Sequence, residues 1–379
     1  MHWVALKMLT GDRGKYLATI FGVAFGTLLI AQQTSIFVGL MRRTANQIID
    51  VRDADIWVMD PNVQNADEIK PLSESDVFRV RGVPAVSWAV RLYKGLARAR
   101  VADGSFRQVM LMGLDDDTLV GAPAEMIVGS LADLRRPDAV VVDKAGFQYL
   151  WPDEPLVPGK TFEMNDRRAT VVGICNASAP FQTFPVMFSR YSQAMNFVAR
   201  ERQRMSFVLA GTKPGVSVGE ACRQINEQTG LLAMSRLQFI WQTVGYYMRV
   251  TGIPINFGIT VALGFIVGTA IAGQTFYLFI IENLKQFGAL KAMGVTNRRL
   301  LGMVLLQAGV VGCIGFAVGM GLTALFFEST RNLTHMAGFF MPWQVVAGSA
   351  LAVGLIVVAA SFVSARKVLV LEPAIVFRG

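Results

Sequence analysis

The sequence predicts an α-helical membrane protein with four transmembrane helices, plus a mixed α+β extracytoplasmic (periplasmic) domain inserted between helices 1 and 2. Three observations carry this. Apolar runs at residues 16–40, 255–281, 300–327 and 343–363 each exceed the ~20 residues a bilayer requires. Residues 42–249 are different material, charged, mixed and punctuated by turn residues. The whole chain, 53% hydrophobic and 17% charged with a mean hydropathy of +0.43, is too apolar for an ordinary soluble protein and too charged for a wholly embedded one.

Residues 1–15 mix Trp3, Val4, Leu6, Met8 and Leu9 with Lys7, Arg13 and Lys15, which reads as a short interfacial helix leading into the first span. The stretch from Gly11 to Lys15 fails as a phosphate loop, because the Gly-to-Gly spacing is short and neither Ser nor Thr follows the Lys. The first span is long and no small-x-small site follows it, so it reads as an uncleaved anchor. Gly22 and Gly26 are spaced for close helix contact.

In the inserted domain, residues 55–59 read as a strand, and residues 73–81 as a helix capped by Ser73. Residues 86–101 and 106–114 are β-rich runs joined by Asp103-Gly104, a hairpin signal. Residues 139–142 form an apolar strand followed by a helix from Asp143. Residues 161–164 and 168–174 form a second hairpin around Asn165-Asp166. Residues 185–188 repeat the strand-to-helix step, 206–210 are a strand, and 217–229 are a helix closed by Gly230. Residues 235–249 look helical and are expected to continue across Pro254 into the second span, as a rigid stalk. The third span is rich in glycine, including Gly315 and Gly319. The domains expected are therefore residues 1–41, 42–250 and 251–379.

Several chemistries drop out. Asp115 to Asp117 reads as a solvated turn, since adjacent carboxylates do not converge on one ion unaided. No nucleophile motif and no His-Glu-x-x-His is present, so no catalytic, cofactor-binding or metal residue is assigned. Cys175 and Cys222 are either bridged in an oxidising compartment or free buried thiols. The net charge of +9 could suggest nucleic acid, but the basic excess beside the spans has a simpler origin. Lys7, Arg13, Lys15, Lys285, Lys291, Arg298, Arg299, Arg366, Lys367 and Arg378 all fall on one side of the four spans. By the positive-inside rule both termini and the 282–299 loop are cytoplasmic.

That loop stands out. Leu284, Phe287, Leu290 and Met293 recur every three residues, so they line one side of a short helix, residues 282–295. Gly294 can close it in a left-handed conformation, and Thr296 can cap the helix that follows. It reads as a helix offered to a partner, or as a basic loop with some helix in it.

The loop and layout resemble the FtsX-like permeases of ABC transporters, the superfamily of MacB and the lipoprotein extractors LolC and LolE. Glu282 falls on the family's leading Glu, Gln286-Phe287-Gly288 on its Glu-Ile-Gly, and Lys291-Ala292-Met293-Gly294 on its Lys/Arg-Ala-Met/Ile-Gly. Arg366-Lys367 with Glu372-Pro373-Ala374 matches the family's ending, and the look is closest to the DevC-like branch. Asn283, Gln286 and Gln307 depart from the Arg, Glu and Glu usual there.

The resemblance implies a permease subunit, not an enzyme, in a bacterial inner membrane, driven by a separate ATPase that binds ATP and Mg. It implies a second permease copy, as a homodimer, and a membrane-fusion adaptor with an outer-membrane channel. Export or extrusion of a lipid-like or hydrophobic substrate by mechanotransmission is the expected activity. An FtsX-like signalling subunit that controls an extracytoplasmic hydrolase is the alternative. Glu282, Leu284, Phe287, Gly288, Leu290, Lys291, Met293 and Gly294 would form the ATPase-coupling helix. Phe287 and Leu290 would enter a groove on the ATPase with Met293 beside them, and Glu282 and Lys291 would sit at its edge. Gly22, Gly26, Gly315 and Gly319 would lie where helices pack.

Overall fold

The computed structural model describes residues 2–101, 103–199, 204–331 and 339–370. It falls into two compact units. One joins Met1–Gly39, Gly252–Arg331 and Phe339–Gly379, and the other is built on Leu40–Thr251.

The chain opens on α1 (His2–Gly11), which stops at Asp12, and continues as α2 (Arg13–Thr44). After α3 (Asn46–Asp50) and β1 (Ile56–Met59), α4 (Glu74–Arg81) starts where the Asp76 carboxylate accepts the Ser73 backbone N–H at 2.9 Å. Strands β2 (Val86–Arg100) and β3 (Phe106–Leu114) form a hairpin whose turn places Gly104 at φ 81°. Next come β4 (Glu125–Val128), β5 (Ala139–Asp143) and α5 (Lys144–Leu150). Strands β6 (Thr161–Met164) and β7 (Arg167–Asn176) flank Asn165 and Asp166, both at positive φ, the backbone a tight hairpin requires. The domain ends with β8 (Val186–Arg190), α6 (Tyr191–Phe197), β9 (Phe207–Thr212), α7 (Val218–Thr229), β10 (Leu232–Ser235) and α8 (Arg236–Val250).

These ten strands make one sheet in the order β10-β1-β9-β2-β3-β8-β5-β7-β4. Strand β6 pairs with both β2 and β7, so the path β2-β3-β8-β5-β7-β6 closes on itself. Closure leaves that part of the sheet without a free edge. Each face carries its own core. One buries Val77, Phe147, Tyr191 and Ile225, from α4, α5, α6 and α7. The other buries Ile48 of α3 and Phe239 of α8, with Phe239 packed 5.6 Å from Trp57. Cys175 and Cys222 belong to opposite cores and are free; burial pushes the Cys222 thiol up to about 11 and raises that of Cys175 as well.

The expected continuous stalk is a correction. α8 ends at Thr251, which is extended (φ −100°, ψ 153°), and α9 (Ile253–Glu282) begins after Gly252 with Pro254 in its first turn. Proline suits a first turn, where its missing N–H has no partner to lose, so it starts a helix there.

Beyond α9 lie α10 (Leu284–Ala292), α11 (Asn297–Thr330) and α12 (Trp343–Val370). Among the described residues α2, α9, α11 and α12 are long and apolar enough to cross a membrane. Helix α2 meets its neighbours through glycine. A Cβ on Gly26 would lie 3.2 Å from Gly268 Cα of α9, and one on Gly22 would strike Ile271. On α11, a Cβ on Gly315 would lie 2.7 Å from Val23, and one on Gly319 2.5 Å from the Ala24 carbonyl. Backbones this close leave no room for a side chain.

Candidate functional site

The polar interruption between α9 and α11 is a built element. Asn283 ends α9, its Nδ2 donating to the Phe279 carbonyl at 2.8 Å. α10 closes in a double bond pattern: Val295 N–H donates to Leu290 O at 3.1 Å and Gly294 N–H to Lys291 O at 3.0 Å, with Gly294 at φ 89°. This is the Schellman arrangement, and the positive φ is why glycine stands there. Thr296 occupies the cap position of α11, but its hydroxyl makes no cap bond; its carbonyl accepts from Leu300 at 3.1 Å.

Phe287 and Leu290 of the apolar stripe turn into the chain's own core, and Met293 does not. Phe287 is 0% exposed, in one core with Ala5 and Leu9 of α1, Ile280 of α9, and Leu300 and Met303 of α11. Gly288 is buried beside it, and Leu284 and Leu290 are half-buried. The expected entry of Phe287 and Leu290 into a partner's groove is therefore corrected. A three-residue period shows that one face is apolar, and here the chain's own helices cover that face. What α10 leaves outward is Lys285, Gln286, Ala289, Ala292 and Met293, with Met293 73% exposed. Lys291 is half-buried.

Glu282 is likewise engaged within the chain. Its carboxylate pairs with the Lys15 ammonium, which also holds Asp12 at 2.8 Å. Gln307, fully buried on α11, donates from Nε2 to the Ala5 carbonyl at 2.8 Å, and its Oε1 is without a partner among the described residues. Thus α1, α10 and α11 share one core, while separate polar contacts join Gln307 of α11 to Ala5 of α1 and Lys15 of α2 to Glu282 of α9. Sequence reasoning missed α1 as part of this site, although Ala5 and Leu9 recur at helical spacing on it.

The inserted domain offers a second cluster. Lys94 on β2 is buried, its ammonium donating to Ala66 O and Asp67 Oδ1, each at 2.7 Å. Burial lowers its pKa, and Asp67 opposes that shift. Tyr247 of α8 donates to the other Asp67 oxygen at 2.9 Å. The Asp115 and Asp116 carboxylates accept from the hydroxyls of Thr118 and Ser192, as turn and helix-start residues do. No group of three or more His, Cys, Asp or Glu is placed to hold a metal among the described residues.

Residues 16–228 match the MacB-like periplasmic core domain, and residues 258–373 match the FtsX-like permease C-terminal domain. An uncharacterised ABC transporter permease of Methanocaldococcus jannaschii is 24% identical over 242 residues, which cover 60% of this chain and only 59% of that protein. Another, of Mycobacterium tuberculosis, is 24% identical over 386 residues and 100% of both chains. Among solved structures, the extracellular domain of the noncanonic ABC-type transporter YknZ from Gram-positive bacteria is similar at TM-score 0.36 and 16% identity, over 48% of this chain and 98% of that one. The periplasmic region of MacB from Actinobacillus actinomycetemcomitans is similar at TM-score 0.41 and 17% identity, over 52% and 95%.

Proposed function

The chain belongs to the MacB/FtsX-type permeases of ABC transporters, and on that premise we propose that it exports or extrudes a lipid-like or hydrophobic substrate from the periplasmic side, using ATP hydrolysed by a separate subunit. One observation supports this most: the seating of Phe287 in a core common to α1, α10 and α11. A close-packed core transmits displacement instead of absorbing it. A push on the outward face of α10, at Met293 and Lys285, moves these helices together.

In this reading the loop and both termini face the cytoplasm of a bacterial inner membrane, the ATPase holds ATP and Mg, and force reaches the periplasmic domain mechanically. Two copies of the chain form the permease, and a DevC-like arrangement adds a membrane-fusion adaptor and an outer-membrane channel. The test is reconstitution with the ATPase in vesicles carrying a labelled lipid. ATP-dependent loss of label is expected. ATP hydrolysis without loss, together with activation of an extracytoplasmic hydrolase, overturns export in favour of FtsX-like signalling.

A further inference from the structure

Two cavities of the inserted domain meet at Leu96. The inner one, about 130 Å³, lies between β2, β3 and the loops bearing Asp67 and Phe181. Its walls are mainly apolar, from Ile69, Leu96, Met110, Phe181 and Phe184, above the neutralised Lys94–Asp67 pair. At roughly 30 Å³ for a water-sized group, it has room for about four methylenes. The outer one, about 920 Å³, is polar and lined by Arg98, Arg100, Phe106 and Arg167, with Glu163 and Asp166. Three guanidiniums face two carboxylates there, and Glu163 is already paired with Arg100 at 3.3 Å. Arg98 stands over the exposed Phe106 ring at 4.6 Å.

The strand register explains the continuity. Lys94, Leu96, Arg98 and Arg100 alternate onto one face of β2, opposite Met112, Met110, Gln108 and Phe106 of β3. At about 3.3 Å per residue, Arg98 lies roughly 13 Å along the strand from Lys94. One face thus runs from an apolar cleft to a cationic groove over the length of a short acyl chain.

We infer that this face binds an anionic amphiphile, its acyl end under Leu96 and its phosphate or carboxylate on Arg98 and Arg100. The inference rests on the reading of a lipid-like substrate and names its class. It also gives occupancy a route to α8. Phe181, a wall of the inner cavity, packs 4.9 Å from the Tyr247 ring, and Asp67 bonds both Lys94 and Tyr247.

The test uses the full chain in nanodiscs without ATPase, with octyl phosphate, octanol and inorganic phosphate as probes. Octyl phosphate should bind saturably and tighter than either part alone. Arg98→Gln with Arg100→Gln should weaken it by about tenfold or more and leave octanol unchanged, because the charge-assisted bonds to the headgroup are lost and the acyl contacts are not. Leu96→Trp, which fills the cleft, should weaken both. A diazirine-bearing alkyl phosphate should label Leu96 or Met110 in the unmodified chain, a readout independent of how any variant folds. Binding no tighter than inorganic phosphate, uptake matched by empty nanodiscs, or label found elsewhere overturns the site. Because no ATPase is present, failure of ATP-driven export leaves these results standing, so the two readings fail separately.

Discussion

Lys15 and Glu282, 267 positions apart, form an ion pair that ties the first turn of α2 to the last residue of α9. Both side chains are partly exposed, so water screens the pair and its worth to stability is small. Its expected effect is on position, since it holds the end of α9, two residues before α10, against the first turn of α2. Glu282→Lys should lower ATP-driven activity with little change in membrane abundance, and Lys15→Glu added to it should restore activity. Equal activity in all three chains would show that the pair positions nothing.

Phe287 and Met293 should separate cleanly. Phe287→Ala opens a cavity in the core under α10 and should cost about 3–5 kcal/mol, read as lost thermal stability and abundance. Met293→Ala should leave both unchanged and reduce co-purification of the ATPase, since truncating an apolar anchor at an interface often costs about 2 kcal/mol. Full ATPase retention by Met293→Ala sinks the assignment of this face.

The glycines of α11 divide by surroundings. Gly319→Ala and Gly315→Ala force a methyl against the backbone or side chains of α2 and should each lower stability in detergent by about 1–3 kcal/mol. Gly309→Ala and Gly321→Ala meet nothing within 4 Å and should be neutral or slightly stabilising. Melting curves that fail to separate the two pairs would refute helix contact at these positions.

Asp143 carries a pH signature. Its carboxyl caps α5 at Gly146 N (3.0 Å) and accepts from Val186 N (2.7 Å), yet burial pushes its pKa up to about 6. A raised acid binds its proton more tightly folded than unfolded. Its contribution is therefore fully present below about pH 4 and lost as pH rises through about 6, a change of no more than ~3 kcal/mol. Asp143→Asn should flatten that fall, measured as melting temperature between pH 4 and 7. An unchanged slope in the variant would assign the pH dependence to other groups.

Much of the fold was legible because local chemistry dictated it. Asp103-Gly104, Asn165-Asp166 and Gly230 marked turns that need positive φ, and span length marked the membrane helices. β4 and β10 were missed although β1 and β6, equally short, were read: β1 is a wholly apolar, fully buried run and β6 adjoins the Asn165-Asp166 turn, and β4 and β10 carry neither signal. The stalk was misread because Pro254 and Gly252 start a helix as readily as they interrupt one. At the coupling segment the period of Leu284, Phe287 and Leu290 was visible, but a stripe does not say what covers it. That α1 lies there depends on Ala5 and Gln307, which are far apart in sequence.

The strand that closes the sheet also sets a clock. β6 can join β2, Ala99 against Met164, only after the chain between them has been made, and β3 needs Val186 of β8 opposite Met110. Distant pairings lose loop entropy before any contact repays it, so such sheets form slowly. During synthesis and translocation, β2 and β3 must therefore wait with bare edges, open to proteolysis and to wrong partners. The interval before β6 arrives, more than the finished domain, is when this chain most needs a chaperone.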